Sequence, residues 1–416
     1  MKPANRVLVA LAAAVVIGLV IAASGSAALL AATDWLVPVG SLWVGAIRMT
    51  VMPLVVSLVI TGIAGASDEG NMGRVGLRAV AVFLLLLLGL AAISVPLAPL
   101  AFSGFPAMAA GATNALPPGA AEAARQVADT GPAASGAAWL LSLLPSNPFA
   151  AAASGAMLPL VIFTVLFAMA VGQLPAAQRT PLLDVVRAIG GAMQVMVRVI
   201  IALAPIGVFA LMVPMAARMG SSFVGAIGLY VIIYSAACVA GSLLLYPVVR
   251  LATGIPMRRF GAAILPAQLI AFTSSSSVAT LPAMIEAADG PLKLPARAGS
   301  FVLPLAASTF KYGSPLAWAI GACFIGWFYG IPLHARELGI VAFAGVFLSF
   351  AAPGVPNGAF LLLTPLFVQI GLPAEGIGVL IALDAIPDRF STTLNVTGDL
   401  AAAAIVVGRE RAPAGT

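Results

Sequence analysis

The run from Ile377 to Val407 is long and apolar enough to cross a bilayer as one helix, yet it carries Asp384, Asp388, Thr392, Asn395 and Asp399. Spacings of four, four, three and four residues put all five on one face of an α-helix. Carboxylates at membrane depth are costly unless they face a bundle interior, pair with a cation or bind a polar ligand, so the stripe marks a functional site. A helix crossing the core of a large soluble domain is the competing explanation, and composition disagrees with it. The 416 residues are 62% hydrophobic and 8% charged, with a mean hydropathy of +1.11. Those values lie far outside the soluble range and indicate an all-α, polytopic membrane protein.

The net charge of +6 does not point to nucleic acid, because the Lys and Arg residues are scattered through short loops rather than clustered. Positive-inside topology accounts for them. The two cysteines, Cys238 and Cys323, sit in apolar runs and suggest neither a disulfide framework nor a metal cluster. No Gly-rich phosphate loop is present, so no nucleotide cofactor is expected.

Lys2 and Arg6 precede a first span, Val7 to about Ala23, which also has the shape of a signal peptide but is read as uncleaved. Further spans are expected at about 35–66, 79–102, 138–171 (broken at Pro145-Ser146-Asn147-Pro148), 188–217 and 225–249. Arg179, Asp184 and Arg187 read as a cytoplasmic loop, and residues 103–136, rich in Ala, Gly and Pro, as an extracytoplasmic one. Then the pattern changes. Phe260–Phe272 is too short to span, four serines follow at 274–277, and a second short apolar piece leads to Lys293 and Arg297 on the side the chain had just left. That is a re-entrant hairpin with a polar tip buried in protein.

A seventh span from about Ser300 to Tyr329 precedes a second such unit, in which the apolar pieces 338–351 and 359–370 flank the breaker cluster 352–358. His334, Arg336 and Glu337 would lie outside and Arg409 and Arg411 inside, which gives two hairpin-plus-helix units of opposite orientation. Inverted repeats with interrupted hydrophobic segments point to a transporter's midplane site.

At these residues the chain resembles the dicarboxylate/amino acid:cation symporter family over nearly its whole length. Arg48-Met49-Thr50-Val51-Met52-Pro53-Leu54, Leu144-Pro145-Ser146-Asn147-Pro148-Phe149 and Ala204-Pro205-Ile206-Gly207-Val208-Phe209-Ala210 are similar to its second-, fourth- and fifth-helix motifs. Ser275-Ser276-Ser277-Val278-Ala279-Thr280-Leu281-Pro282 resembles the first hairpin tip, Gly354-Val355-Pro356 the second, and Asn395-Val396-Thr397-Gly398-Asp399 the last helix.

The resemblance implies eight spans plus two hairpins in an elevator-type transporter, a homotrimer in the cytoplasmic membrane with both termini inside. Its scaffold would be about 1–66 and 138–217. Its mobile part would be about 79–102 and 225–410, with hairpin one at 260–290, helix seven at 300–329, hairpin two, the gate, at 338–370 and helix eight at 377–407. Asp388 would bind a substrate amino group, Thr392 and Asn395 a carboxylate, and backbone amides around Ser276 and Gly354, in the tips Ser275, Ser276, Ser277 and Gly354, Val355, Pro356, would complete the cradle.

Two departures stand out. Where the family carries Asn-Met-Asp-Gly-Thr in helix seven to hold sodium, this chain has Phe310-Lys311-Tyr312-Gly313-Ser314, and Phe83–Ser94 lacks the Tyr and Thr-Ser of another sodium site. Lys311 is therefore expected as a tethered cation against Asp399 or hairpin-two carbonyls near Ser349. A desolvated lysine can lose its proton near neutral pH, which makes proton coupling one role and a permanent ion pair with Asp399 the other. Where acidic-substrate members carry Arg, three residues beyond the amino-binding Asp, this chain has Ser391, and the bidentate clamp on a second carboxylate is missing.

The expectation is a sodium-independent symporter of a small amino acid or dicarboxylate. The alternatives are a sodium-coupled symporter using a residual site, or an uncoupled, channel-like protein. A Ser–Lys hydrolase lacks the rest of its constellation, so no enzyme activity, cofactor or metal is expected.

Overall fold

The computed structural model describes residues 3–65, 73–105, 144–153, 156–351, 360 and 362–408. Among them every regular element is helical and none is a strand. The order begins with α1 (Pro3–Ser24), α2 (Ala27–Ala32), α3 (Val37–Gly65), α4 (Gly73–Ser103), α5 (Pro148–Ala153) and α6 (Met157–Gly172). It continues with α7 (Ala176–Ala202), α8 (Ala204–Met219), α9 (Ser221–Thr253), α10 (Met257–Ser274), α11 (Ser277–Asp289), α12 (Leu303–Thr309) and α13 (Ser314–Tyr329). Last come α14 (Ala335–Phe347), α15 (Leu363–Gln369), α16 (Gly376–Leu383) and α17 (Pro387–Val407). Among the described residues six spans, 6–24, 27–64, 75–103, 176–202, 221–253 and 387–407, are long and apolar enough to cross a membrane. Two shorter apolar helices run over 159–172 and 204–219.

Several expected boundaries change, each for a local reason. The span expected at 188–217 is two helices: α7 begins at Ala176, so Arg179, Asp184 and Arg187 are helical rather than looped, and the chain breaks at Leu203. Pro205 causes the break, since its ring has no N–H and collides with the carbonyl four residues back. Helix seven is likewise split, with α12 and α13 separated by residues 310–313 and Pro315 opening the second piece. Helix eight ends at Leu383 and restarts at Pro387, which takes Asp384 off the helix that carries the other four polar residues.

A helical hairpin lies where the first re-entrant unit is expected. α10 and α11 pack on each other, joined at Ser275, a non-glycine residue at φ +53°. Of the second hairpin, α14, the turn Leu348–Ala351 and α15 are described, while the tip with Gly354, Val355 and Pro356 lies outside the described residues.

Burial separates the helices. In the apolar span of α17, 72% is buried, against 17% in α1 and 22% in α7. α17 is the centre: α4, α9, α10, α11 and α12 all pack on it. α13, apolar on every side, is buried apart from Trp327 and packs on α4 and α14. A second group, α1, α3, α6, α7 and α8, packs mainly within itself, α1 along α8 and α3 along α6 and α7.

Trp43 of α3 ties that second group together. Its indole Nε1 donates to the Ile200 carbonyl of α7 at 3.0 Å, and its ring fills the place where Gly207 has no side chain. Trp43→Phe is expected to cost roughly 1–3 kcal/mol through the lost bond and volume. The check is a lower unfolding temperature with ligand affinity unchanged.

Candidate functional site

The site is built on the N-terminal half of α17. Pro387 starts that helix without a donor to lose, and the Asp388 amide donates to the Asp384 carbonyl at 2.7 Å, which holds the two carboxylates one turn apart. The Thr392 hydroxyl and the Asp388 carboxylate, four residues apart, are hydrogen-bonded to each other. Asn395 Oδ1 accepts from the Gly313 N–H at 2.7 Å, so its oxygen is identified by its donor and its NH₂ group is what remains for a ligand. An amide that offers only donors suits an anion.

The break in helix seven sits directly against this stripe. A Cβ on Gly398 would lie 2.6 Å from the Tyr312 Cβ, and one on Gly313 would press on both Ser391 and Asn395. Lys311 lies half-buried in the break. Its Nζ donates to the Ala307 carbonyl at 2.8 Å, a carbonyl left without an intrahelical partner because α12 stops two residues later. A cation at a helix C-terminus is also favoured by the macrodipole. The ammonium interacts electrostatically with Asp399 and Asp388. Asp399 is fully buried, and among the described residues neither of its carboxylate oxygens has a hydrogen-bond partner.

Of the two partners expected for Lys311, Asp399 or hairpin-two carbonyls near Ser349, the electrostatic one is Asp399. Among the described residues Lys311 donates only to its own helix, and the buried Ser349 turns its hydroxyl to the Val346 carbonyl at 2.7 Å. Both groups satisfy local helix-end carbonyls.

The two aromatic departures meet in space. Phe310 from the break stacks on Phe83 from α4, centroids 4.4 Å apart and planes 14° from parallel, with Tyr312 6.0 Å from Phe310. Where the resemblance implies oxygen ligands on both helices, this chain places a stacked hydrocarbon pair. Hard cations want oxygen, and the two stacked side chains offer none.

Hairpin one closes another side. Phe272 meets Phe390 edge-on at 5.1 Å, and Gln268 Nε2 donates to the Thr397 hydroxyl at 2.9 Å. Ser276 caps α11 by accepting from the Ala279 amide, while the Ser276 amide donates to Ser274 Oγ. The first-turn amides of Ser277 and Val278 are then the ones the helix cannot satisfy. Ser277 is buried; Ser275 holds its left-handed conformation as the C-cap of α10. A strained non-glycine residue at a hairpin tip fits a built site.

Sequence reading missed one wall. Tyr230, Tyr234 and Cys238 of α9, spaced four and four apart, are buried and lie in the electrostatic field of Asp384; the Tyr234 hydroxyl is hydrogen-bonded to Ser391. The i, i+4, i+8 spacing was the available signal.

Comparison with known proteins gives a consistent result. The profile of the sodium:dicarboxylate symporter family matches residues 4–409. The chain is 28% identical over 393 residues to the proton/glutamate-aspartate symporter of Escherichia coli (strain K12), covering 90% of this chain and 86% of that one. It is 28% identical over 380 residues to the proton/sodium-glutamate symport protein of Bacillus subtilis (strain 168), covering 89% and 85%. Against excitatory amino acid transporter 3 of Mus musculus it is 29% identical over 255 residues, 60% of this chain and 48% of that one.

Proposed function

The chain belongs to the sodium:dicarboxylate symporter family, a family of transporters rather than enzymes, and on that premise we propose that it carries a small amino acid or a dicarboxylate across the cytoplasmic membrane without sodium. The observation that carries the reading is the coincidence at one place of the polar stripe of α17, the Lys311 ammonium, and the Phe83–Phe310 stack. Asp388 receives the amino group, the Thr392 hydroxyl and the Asn395 amide receive the carboxylate, and the Ser277 and Val278 amides close on it. Lys311 takes the place of a metal cation over Asp399 and is the group through which a proton couples to substrate.

Transport follows an elevator path in a trimer. The group around α17 (α4, α9 to α14 and hairpin two) moves against the group of α1, α3, α6, α7 and α8, and the tip with Gly354, Val355 and Pro356 opens and closes the site. The packing supports this, since each group is internally continuous. The scatter of Lys and Arg supports cytoplasmic termini.

A second reading, sodium coupling through a residual site, is favoured by one observation: among the described residues both oxygens of the buried Asp399 are without hydrogen-bond partners and are free to meet an ion. Thermal-shift measurements on purified protein, with amino acids and dicarboxylates in sodium and in sodium-free buffer, separate the two. A bound ligand stabilises according to its concentration and affinity. Equal stabilisation without sodium is expected; stabilisation only in sodium makes the residual site correct.

A further inference from the structure

Several chain ends meet at one rim of the group around α17. α9 closes at Thr253, Gly254 takes the left-handed conformation that ends it, and α10 starts at Met257. A Cβ on Gly408 would lie 3.1 Å from Thr253 Cγ2, and Arg78 of α4 donates to the Ile405 carbonyl, so the ends of α9 and α17 and the start of α4 share this rim. Arg259 adds the far end of hairpin one. Its Nε and Nη2 donate to the Pro291 carbonyl at 3.1 and 2.9 Å, which fixes the exit of the hairpin beside its entry. Lys293 follows at once, a non-glycine residue held at φ +52°.

Three further exposed cations stand on this rim: Arg250 in the last turn of α9, Arg258 in the first turn of α10, and Lys293. Arg250 gives one donor to the Gly254 carbonyl at 2.9 Å and keeps the rest of its fork. Among the described residues Arg258 and Lys293 have no hydrogen-bond or ion-pair partner. The nearest acids in sequence, Glu286 and Asp289, lie in the last turn of α11, and Asp289 is turned toward helix seven, where a Cβ on Gly299 would lie 3.2 Å from its Oδ1. Apolar side chains continue from the cations along both helices. Leu251 of α9 is 86% exposed, and Met257, Leu265 and Leu269 are exposed on one side of α10. Positive charge at one end and hydrocarbon along the flank match an amphiphile: a free anion would use only the charges, and a neutral lipid only the flank.

We propose that this rim binds the headgroup of an anionic phospholipid, with its phosphate between Arg258 and Lys293, Arg250 at the edge, and the acyl chains along Leu251, Met257, Leu265 and Leu269. Basic residues at a membrane surface attract anionic lipid, and a guanidinium and an ammonium that share one phosphate add directed, charge-assisted hydrogen bonds. Arg258 stands at the entry of hairpin one and Lys293 at its exit, so the bound phosphate closes the base of the hairpin a second time, beside the Arg259 brace. Neither the substrate nor the coupling ion enters into this contact.

The test is thermal shift of the full-length protein in detergent, titrated with a short-chain phosphatidylglycerol, the matching phosphatidylcholine, and inorganic phosphate. Expected is saturable stabilisation by phosphatidylglycerol, and none at the same concentrations by phosphatidylcholine, which has no net charge, or by phosphate, which has no chains. R258Q/K293Q is expected to weaken phosphatidylglycerol about tenfold or more. R336Q, which removes an exposed charge from the first turn of α14, is expected to leave it unchanged. Without lipid both variants should unfold at the native temperature, because all three side chains are exposed. Equal stabilisation by phosphatidylcholine would make the flank a general lipid surface, and equal stabilisation by phosphate would make the rim a plain anion site. An R258Q/K293Q protein that keeps its affinity, or an R336Q protein that loses as much, would show attraction by bulk charge alone. Each of these results overturns the proposal and leaves the transport reading standing.

Discussion

Lys311→Ala is expected to reduce uptake into proteoliposomes at least a hundredfold and to remove its pH dependence. Among the described residues the Lys311 ammonium interacts electrostatically with Asp399, a fully buried carboxylate with neither oxygen hydrogen-bonded. Removing one member of a buried charge set costs roughly 3–5 kcal/mol, because the other member is left uncompensated. The same change frees the Ala307 carbonyl at the end of α12, so the break that positions Gly313 against Asn395 loosens as well. Two controls separate chemistry from folding. Lys311→Arg keeps a charge that does not dissociate, so it restores thermal stability but not pH-dependent uptake if proton release is part of the cycle. Rescue of the alanine variant by sodium would show that the side chain stands in for an ion. Unchanged uptake by the alanine variant at every pH would remove Lys311 from the mechanism.

Gly398→Ala is expected to damage the protein as severely from the opposite side of the same contact. A Cβ there would lie 2.6 Å from the Tyr312 Cβ and 2.8 Å from its Cγ. A Cβ goes where its backbone puts it, so no rotamer of Tyr312 relieves the clash, and helix and break must separate. Overpacking of this kind costs about 1–3 kcal/mol. Because residues 310–313 carry Phe310, Lys311 and the Gly313 amide, the loss extends to ligand binding. The expected result is a lower unfolding temperature together with loss of ligand-induced stabilisation. Gly225→Ala is the matched control: it lies in α9 with nothing within 4 Å of its Cβ, and it should gain about 0.5–1 kcal/mol. A Gly398→Ala protein that still responds to ligand would mean that the break is not rigidly coupled to the stripe.

Much of the site could be read from the chain because membrane burial makes polar residues informative. Asp388, Thr392, Asn395 and Asp399 stand out against apolar neighbours, and helical spacing alone puts them on one face. The serine tip of hairpin one was legible for a related reason: two apolar pieces too short to span must turn back, and the turn must be polar. Less legible were the helix breaks. Pro205, Pro315 and Pro387 each open a new helix, yet in a membrane chain a proline within an apolar run can also kink a continuous one, and α3 runs through Pro53 and α9 through Pro247. Which outcome occurs depends on whether neighbouring groups take up the freed carbonyls, and that is a tertiary matter.

Residue types and spacing by themselves determined that the chain spans a membrane with helices and carries one polar stripe, and the family resemblance marked Lys311, Phe310 and Ser391 as departures. Only the tertiary structure decided what those departures do. It stacked Phe310 on Phe83 from a helix more than two hundred residues earlier, turned Lys311 onto the end of its own helix under Asp399, and took Asp384 off the stripe to face two tyrosines. The physical reason is that periodicity ranks residues along one helix, whereas partnership of a buried charge or ring is settled by whichever other helix packs against it.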